Sequence, residues 1–142
     1  MEKKPSILIV EDEKVLAEMY LDKFTQAGYQ VYLAFTAEDG IEVAQEKKPD
    51  LVLLDILLPR ANGVEFLRQI RDVKKIASTP VVAFSNYDDP KTRAEAKSFG
   101  AKEYLLKTDY TPSEIIKKIK EYLPVGEKEG GGIAPLESQR NQ

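Results

Sequence analysis

Four apolar runs in this chain end on residues able to do chemistry. Ile7-Leu8-Ile9-Val10 precedes Glu11-Asp12, Leu51-Val52-Leu53-Leu54 precedes Asp55, Val81-Val82-Ala83-Phe84 precedes Ser85, and Tyr104-Leu105-Leu106 precedes Lys107. If the runs are neighbouring parallel strands, three carboxylates, a hydroxyl and an ammonium meet on one rim. Clustered carboxylates repel one another and resist burial unless a cation or proton intervenes, so such a rim stabilises nothing by itself and points to a ligand. In open α/β sheets the ligand crevice lies outside the carboxyl ends of the strands, where all four runs place their polar residues. An oxygen-only acidic set suits a hard divalent ion that keeps several waters, and Mg2+ is the commonest choice where phosphate chemistry is near.

Taken singly, these residues have plainer uses. Glu11-Asp12 suits the start of a helix, Lys107 a solvated strand end, and Ser85 a routine strand terminus. Asp55 is harder to assign that way, because it closes a wholly apolar run that belongs in the middle of a sheet. Their joint placement favours a site.

The elements that must position these groups follow from the alternation of short Ile, Val and Leu runs with helical patterns, which is the signature of βαβ units and a parallel sheet covered on both faces. Five units are counted. The first helix is expected from about Glu13 to Ala27, with Val15, Leu16, Met19 and Leu21 to Phe24 on its apolar side and Gly28 as its stop. Strand two spans Gln30 to Ala34. Thr36-Ala37-Glu38-Asp39 resembles a capping box for a helix whose Ile41 and Val43-Ala44 face inward, ended by Lys47-Lys48-Pro49. Pro59-Arg60-Ala61-Asn62-Gly63 reads as a loop before a helix bearing Val64, Phe66, Leu67 and Ile70. Pro80 starts strand four, and Asp88-Asp89-Pro90 fits a cap with proline at the first helical position of a helix that Gly100 closes. Thr111, Pro112 and Glu114 open the last helix, with Ile115, Ile116, Ile119, Tyr122 and Leu123 as its stripe. Pro124 ends the domain, and residues 125–142, with Gly130-Gly131-Gly132 and mostly polar neighbours, read as a flexible tail. A docking peptide around Ile133 to Leu136 is the other reading of that tail.

Composition narrows the function. The 142 residues, 42% hydrophobic, make one domain able to bury a core. Lys+Arg 21 against Asp+Glu 24 leaves a net charge of −3, without the global basic surface that drives nucleic-acid binding. The chain has neither cysteine nor histidine, which sets aside thiol chemistry, zinc enzymes and Ser-His hydrolases. None of the eight glycines forms a dinucleotide or P-loop fingerprint. Met1 to Pro5 leads into an apolar run too short for a signal peptide, and no run approaches a membrane span, so a cytoplasmic location is expected.

At this point the residues carry a resemblance. The acidic pair Glu11-Asp12, the Asp55-Ile56-Leu57-Leu58-Pro59 run with Gly63 beyond it, Ser85 after an apolar strand, Gly100-Ala101, and Tyr104 three residues before Lys107 are similar, in order and spacing, to a receiver domain of two-component response regulators. The match covers roughly Ser6 to Leu123. It implies a flavodoxin-like (βα)5 doubly wound fold, with five parallel strands in the order 2-1-3-4-5 and helices on both faces, for a receiver domain over 1–124. Asp55 is then the phospho-acceptor, taking a phosphoryl group from a sensor histidine kinase or a histidine phosphotransfer protein. Asp12, Asp55 and the backbone carbonyl of Leu57 would ligate Mg2+, with Glu11 acting through a water. Lys107 would pair with Asp55 and then with a phosphoryl oxygen, the Ser85 hydroxyl would donate to another, and Ser85 with Tyr104 would form the switch. The face made by the fourth helix, fifth strand and fifth helix, roughly residues 90–123, would bind a downstream protein partner or form a homodimer. Such a chain modifies itself rather than turning over a substrate.

The sequence departs from the family pattern in three places. Thr108 follows Lys107 where the family usually has proline after a cis peptide, a bond that costs about 2.5–4 kcal/mol before other residues. Asn86 stands where a small residue is common, which narrows the phosphate pocket. Leu57 and Tyr87 are bulky groups at positions that tune loss of the phosphate, so slow hydrolysis is expected. Two rival readings remain beside the switch: a phosphorylation-independent pseudo-receiver, and a receiver fragment of a longer regulator. A phosphatase of the haloacid dehalogenase type needs a second Asp two residues after the nucleophile, and Leu57 stands there.

Overall fold

The computed structural model describes residues 4–58, 61–86 and 88–123. Five strands form one parallel sheet: β1 (Ser6–Val10), β2 (Gln30–Ala34), β3 (Leu51–Asp55), β4 (Val81–Ser85) and β5 (Glu103–Leu106). The spatial order is β2-β1-β3-β4-β5, as the resemblance implies. Five helices alternate with them: α1 (Lys14–Gln26), α2 (Ala37–Lys47), α3 (Gly63–Asp72), α4 (Pro90–Ser98) and α5 (Pro112–Ile119). Every residue of β1, β3 and β4 is buried, which is why those segments read as unbroken apolar runs rather than alternating ones.

The sheet divides two cores. Leu8, Val10, Leu54, Ala83 and Tyr104 pack with Phe66, Leu67 and Ile70 of α3 and Ala96 of α4. Ile7, Ile9, Leu53, Phe84 and Leu105 pack on the other face with Tyr20 and Phe24 of α1 and Ile115 and Ile119 of α5. Phe24, Phe66 and Phe84 are fully buried, and each such ring contributes on the order of 1.5–3 kcal/mol.

Helix ends follow the predicted chemistry. Thr36 accepts the Asp39 N–H at 3.1 Å, and Asp89 accepts the Lys91 N–H at 3.3 Å ahead of Pro90. Thr111 and Glu114 exchange bonds of 3.2 and 2.8 Å in a full capping box. Gly28 and Gly100 stop α1 and α4 at φ +100 and +92, a region that other residues enter only with strain.

Two details differ from the sequence reading. Val15 is 82% exposed; of the expected apolar side of α1, Phe24 is buried and Leu16 and Met19 pack half-buried against the core, while Ala17 and Tyr20 join Phe24 in a buried stripe spaced three and four apart. The segment after Asp55 is not wholly loop, because Leu57–Leu58 pairs antiparallel with Ala61–Asn62. Pro59, Arg60, Tyr87, Pro124 and the tail 125–142 lie outside the described residues.

Arg71, near the end of α3, ties this layer together. Its guanidinium donates to the carbonyls of Phe99, Ala77, Thr79 and Gly100 at 3.0, 3.0, 2.9 and 3.2 Å. Burial pulls its pKa below the usual arginine value.

Candidate functional site

Register brings the chemical groups together. Val10 pairs with Leu54, Asp55 with Phe84, and Ser85 with Leu106, so Glu11, Asp55, Ser85 and Lys107 line up along the carboxyl rim. The backbone extends this order past the strand ends: Glu11 N donates to Ala34 O at 2.9 Å and Lys107 N to Ser85 O at 2.8 Å. Because side chains alternate across a strand, Asp55 shares a face with Leu53 and Phe84. Ser85 and Tyr104 belong to the opposite face, with Ala83.

Lys107 is the hub. Its ammonium donates to Glu11 Oε1 at 2.7 Å and to Asp55 Oδ2 at 3.1 Å. The other Asp55 oxygen accepts the Leu57 N–H at 3.0 Å, and the other Glu11 oxygen accepts the Glu13 N–H at 3.0 Å, at the N-cap of α1. Glu11 therefore serves both the site and the start of α1. The described backbone holds no cis peptide; with a trans Lys107–Thr108 bond, Asp109 N reaches Leu106 O at 3.0 Å in a turn, and Lys107 still meets both carboxylates.

Burial sets the electrostatics. Glu11 and Asp55 are 1% and 4% exposed. Desolvation pushes both carboxyls above their ordinary values, and the bonds from Lys107 offset this only in part. Burial pulls the Lys107 ammonium down, but the hydrogen bond to Glu11 and the charges of Asp55 and Glu11 outweigh it and leave it raised. One ammonium between two buried carboxylates leaves the pocket with an excess negative charge, to which exposed Asp12 adds. One oxygen from each of Glu11, Asp12 and Asp55 lies within 4.8 Å of the others. This all-oxygen, under-neutralised set fits a hard divalent cation such as Mg2+.

Around this centre, Ser85 is fully buried and Tyr104 is 5% exposed. The Arg93 guanidinium lies 4.7 Å from the Tyr104 ring centre, and Arg93 Nη1 is 3.4 Å from the Tyr104 carbonyl. Arg93 also pairs with Asp88 at 2.7 Å. Leu57 is 46% exposed beside the rim, and Asn86 is exposed. Gly63 packs against the end of β3 so tightly that a Cβ there would lie 2.6 Å from Ile56 Cα and 2.9 Å from the Asp55 carbonyl oxygen.

Sequence reasoning named Glu11, Asp12, Asp55, Leu57, Ser85, Tyr104 and Lys107; the fold gathers Glu11, Asp12, Asp55 and Lys107 at the rim, sets Leu57 beside them, ends β4 on Ser85, and leaves Tyr104 inside β5, paired with Ala83 in the core on the other face. That reasoning missed Phe84, whose ring lies under the Lys107 ammonium at 4.7 Å. Nothing in a buried strand distinguishes a ring that packs from one that also supports a cation.

Known proteins are similar to this chain. The response regulator receiver domain family matches residues 7–120. The uncharacterized transcriptional regulatory protein YcbL of Bacillus subtilis is 36% identical over 113 residues, 80% of this chain and 48% of that protein, so the chain spans about half the length of this curated relative. The chemotaxis response regulator CheY4 of Vibrio cholerae is 25% identical, with a TM-score of 0.78 over 85% of this chain and all of that one. A CheY-like receiver domain protein of Methanospirillum hungatei is 27% identical, with a TM-score of 0.78 over 84% of this chain and 93% of that one. With its strand order, its acidic rim and a family match over most of its length, the chain belongs to the receiver domains of response regulators.

Proposed function

We propose that the chain is a phospho-accepting switch of a two-component system, with Asp55 as acceptor and a sensor histidine kinase or histidine phosphotransfer protein as donor. The observation that carries this reading is the burial of Asp55 at a strand end, 3.1 Å from the Lys107 ammonium and among two further carboxylates. A carboxylate is a weak nucleophile, but phosphoryl transfer runs through a loose transition state in which positioning and charge neutralisation do most of the work. An Asp55 oxygen forms a bond to phosphorus as the phosphorus–nitrogen bond of the donor breaks. The imidazole leaves with the electron pair and takes a proton from solvent. Asp12 and Asp55, the Leu57 carbonyl, and Glu11 through a water are the groups that would hold Mg2+, which when bound neutralises charge on the phosphoryl oxygens. Lys107 turns from Asp55 to a phosphoryl oxygen and the Ser85 hydroxyl donates to another.

A phosphoryl group brings about −1.5 to −2 of charge and new acceptor oxygens to the rim. The response runs through Ser85 and Tyr104 to the α4-β5-α5 face, which binds a downstream protein or a second copy of the chain. The switch works in the cytoplasm and acts on itself rather than as an enzyme with turnover. Among the described residues no helix is long and apolar enough to cross a membrane.

The test is intact mass after incubation with acetyl phosphate, with and without Mg2+, for the wild type and Asp55→Asn. A single Mg2+-dependent phosphate adduct absent from the variant is expected. No adduct with either acetyl phosphate or a histidine donor would leave a pseudo-receiver that binds partners without phosphorylation.

A further inference from the structure

Lysine carries its charge on a flexible four-carbon stem, and Lys107 faces two competing carboxylates. Glu11, at 2.7 Å, is the nearer. If the ammonium settled fully on Glu11, Asp55 would lose its cation and an arriving phosphoryl oxygen would find no donor beside it. Something must hold the ammonium on the Asp55 side.

Phe84 has the place and the chemistry. It is the cross-strand partner of Asp55 on one side and of Leu105, two residues before Lys107, on the other. Its ring is fully buried, and the Lys107 ammonium stands 4.7 Å from the ring centre. An aromatic face carries negative potential, so a desolvated ring at this distance attracts the ammonium without competing for its hydrogen bonds. The ring is itself braced: Tyr20 of α1 meets it edge-on at 5.6 Å and 65°, and Phe24 meets Tyr20 at 6.1 Å and 72°.

We propose that Phe84, braced by Tyr20, is a positioning residue that holds the Lys107 ammonium within reach of Asp55 and of the group Asp55 receives. This rests on the reading of Asp55 as phospho-acceptor. Phe84 touches no phosphate; it acts through Lys107 alone.

The experiment replaces Phe84 by 3,4,5-trifluorophenylalanine and by pentafluorophenylalanine, which keep the ring and remove or invert its negative face, alongside Phe84→Leu. Two quantities are read: the rate of Mg2+-dependent phosphorylation by acetyl phosphate, and the NMR shift of the Lys107 ε-methylene in metal-free protein, which a ring face moves upfield. The expected result is a graded fall in rate with fluorination, reaching roughly tenfold, at a thermal midpoint near that of the wild type, and loss of the upfield shift in Phe84→Leu. Equal rates across the series, or a fall confined to Phe84→Leu, would overturn the proposal while leaving Asp55 the acceptor. If the wild type accepts no phosphate, the reading of Asp55 fails by itself. The ε-methylene shift then decides the placement: upfield only with the aromatic ring supports it, and unchanged on ring removal overturns it.

Discussion

Glu11 and Lys107, 96 positions apart in the chain, meet at 2.7 Å with both side chains almost completely buried. With Asp55 as the second acceptor, a single cation serves two desolvated anions. Removing that cation leaves both anions uncompensated. Lys107→Met is expected to destabilise the metal-free protein by about 3–5 kcal/mol, with Mg2+ restoring part of the loss. Urea unfolding followed by circular dichroism, in EDTA and in Mg2+, measures both.

Asp55→Asn has the opposite sign in the absence of metal. It reduces the buried charge to one carboxylate and one ammonium, so the variant is expected to exceed the wild type by about 1 kcal/mol in EDTA. The stabilisation that Mg2+ gives the wild type should shrink in the variant, because one ligand oxygen has lost its charge. Comparable gains from Mg2+ in both proteins would remove Asp55 from the metal site.

Gly63→Ala places a methyl group 2.6 Å from Ile56 Cα, and backbone cannot rotate away as a side chain does. Overpacking of this kind costs typically about 1–3 kcal/mol, and the upper end is expected here. The shift falls on the residues next to Asp55, so phosphorylation by acetyl phosphate should slow even in protein that remains folded.

Arg71→Ala separates stability from chemistry. It removes bonds to four carbonyls far from the acidic rim, and hydrogen bonds to a charged group contribute about 1.5–3 kcal/mol. The unfolding midpoint should fall accordingly, while the phosphorylation rate at a temperature where the variant is folded stays at the wild-type value.

Tyr122 supplies a pH signature. Its hydroxyl donates to the Glu103 carboxylate, and that bond, ahead of burial, pushes the phenol from 10.0 up to about 12. A raised folded pKa means that the fold favours the neutral phenol. The contribution is complete below the unfolded value and is lost as pH rises through about 12. The difference in urea midpoint between wild type and Tyr122→Phe should be present at about pH 9 and vanish near pH 12.

Much of this was legible in the chain. Buried parallel strands require continuous apolar runs, and the residues that end them fall on one rim whatever the helices do, which is why Asp55, Ser85 and Lys107 could be named from spacing. Helix ends were legible at Thr36, Asp89 and Thr111, where a local side chain meets a local backbone group. What could not be read depends on contacts across the fold. The exposure of Val15 follows from how α1 is rotated against the sheet. The preference of Lys107 for Glu11, the ring of Phe84 beneath it and the four carbonyls on Arg71 join residues from separate elements, and no local pattern records them.

The pleat of β4 puts Phe84 and Ser85 on opposite sides of a partition one strand thick. Charge balance is kept in one compartment, with α1 and α5, while Tyr104 and Arg93 occupy the other, with α4. A change at Phe84 therefore alters the packing beneath the Lys107 ammonium, while a change at Ala83 or Tyr104 is felt in the other core. Adjacent positions in one short strand thus answer to separate packing demands.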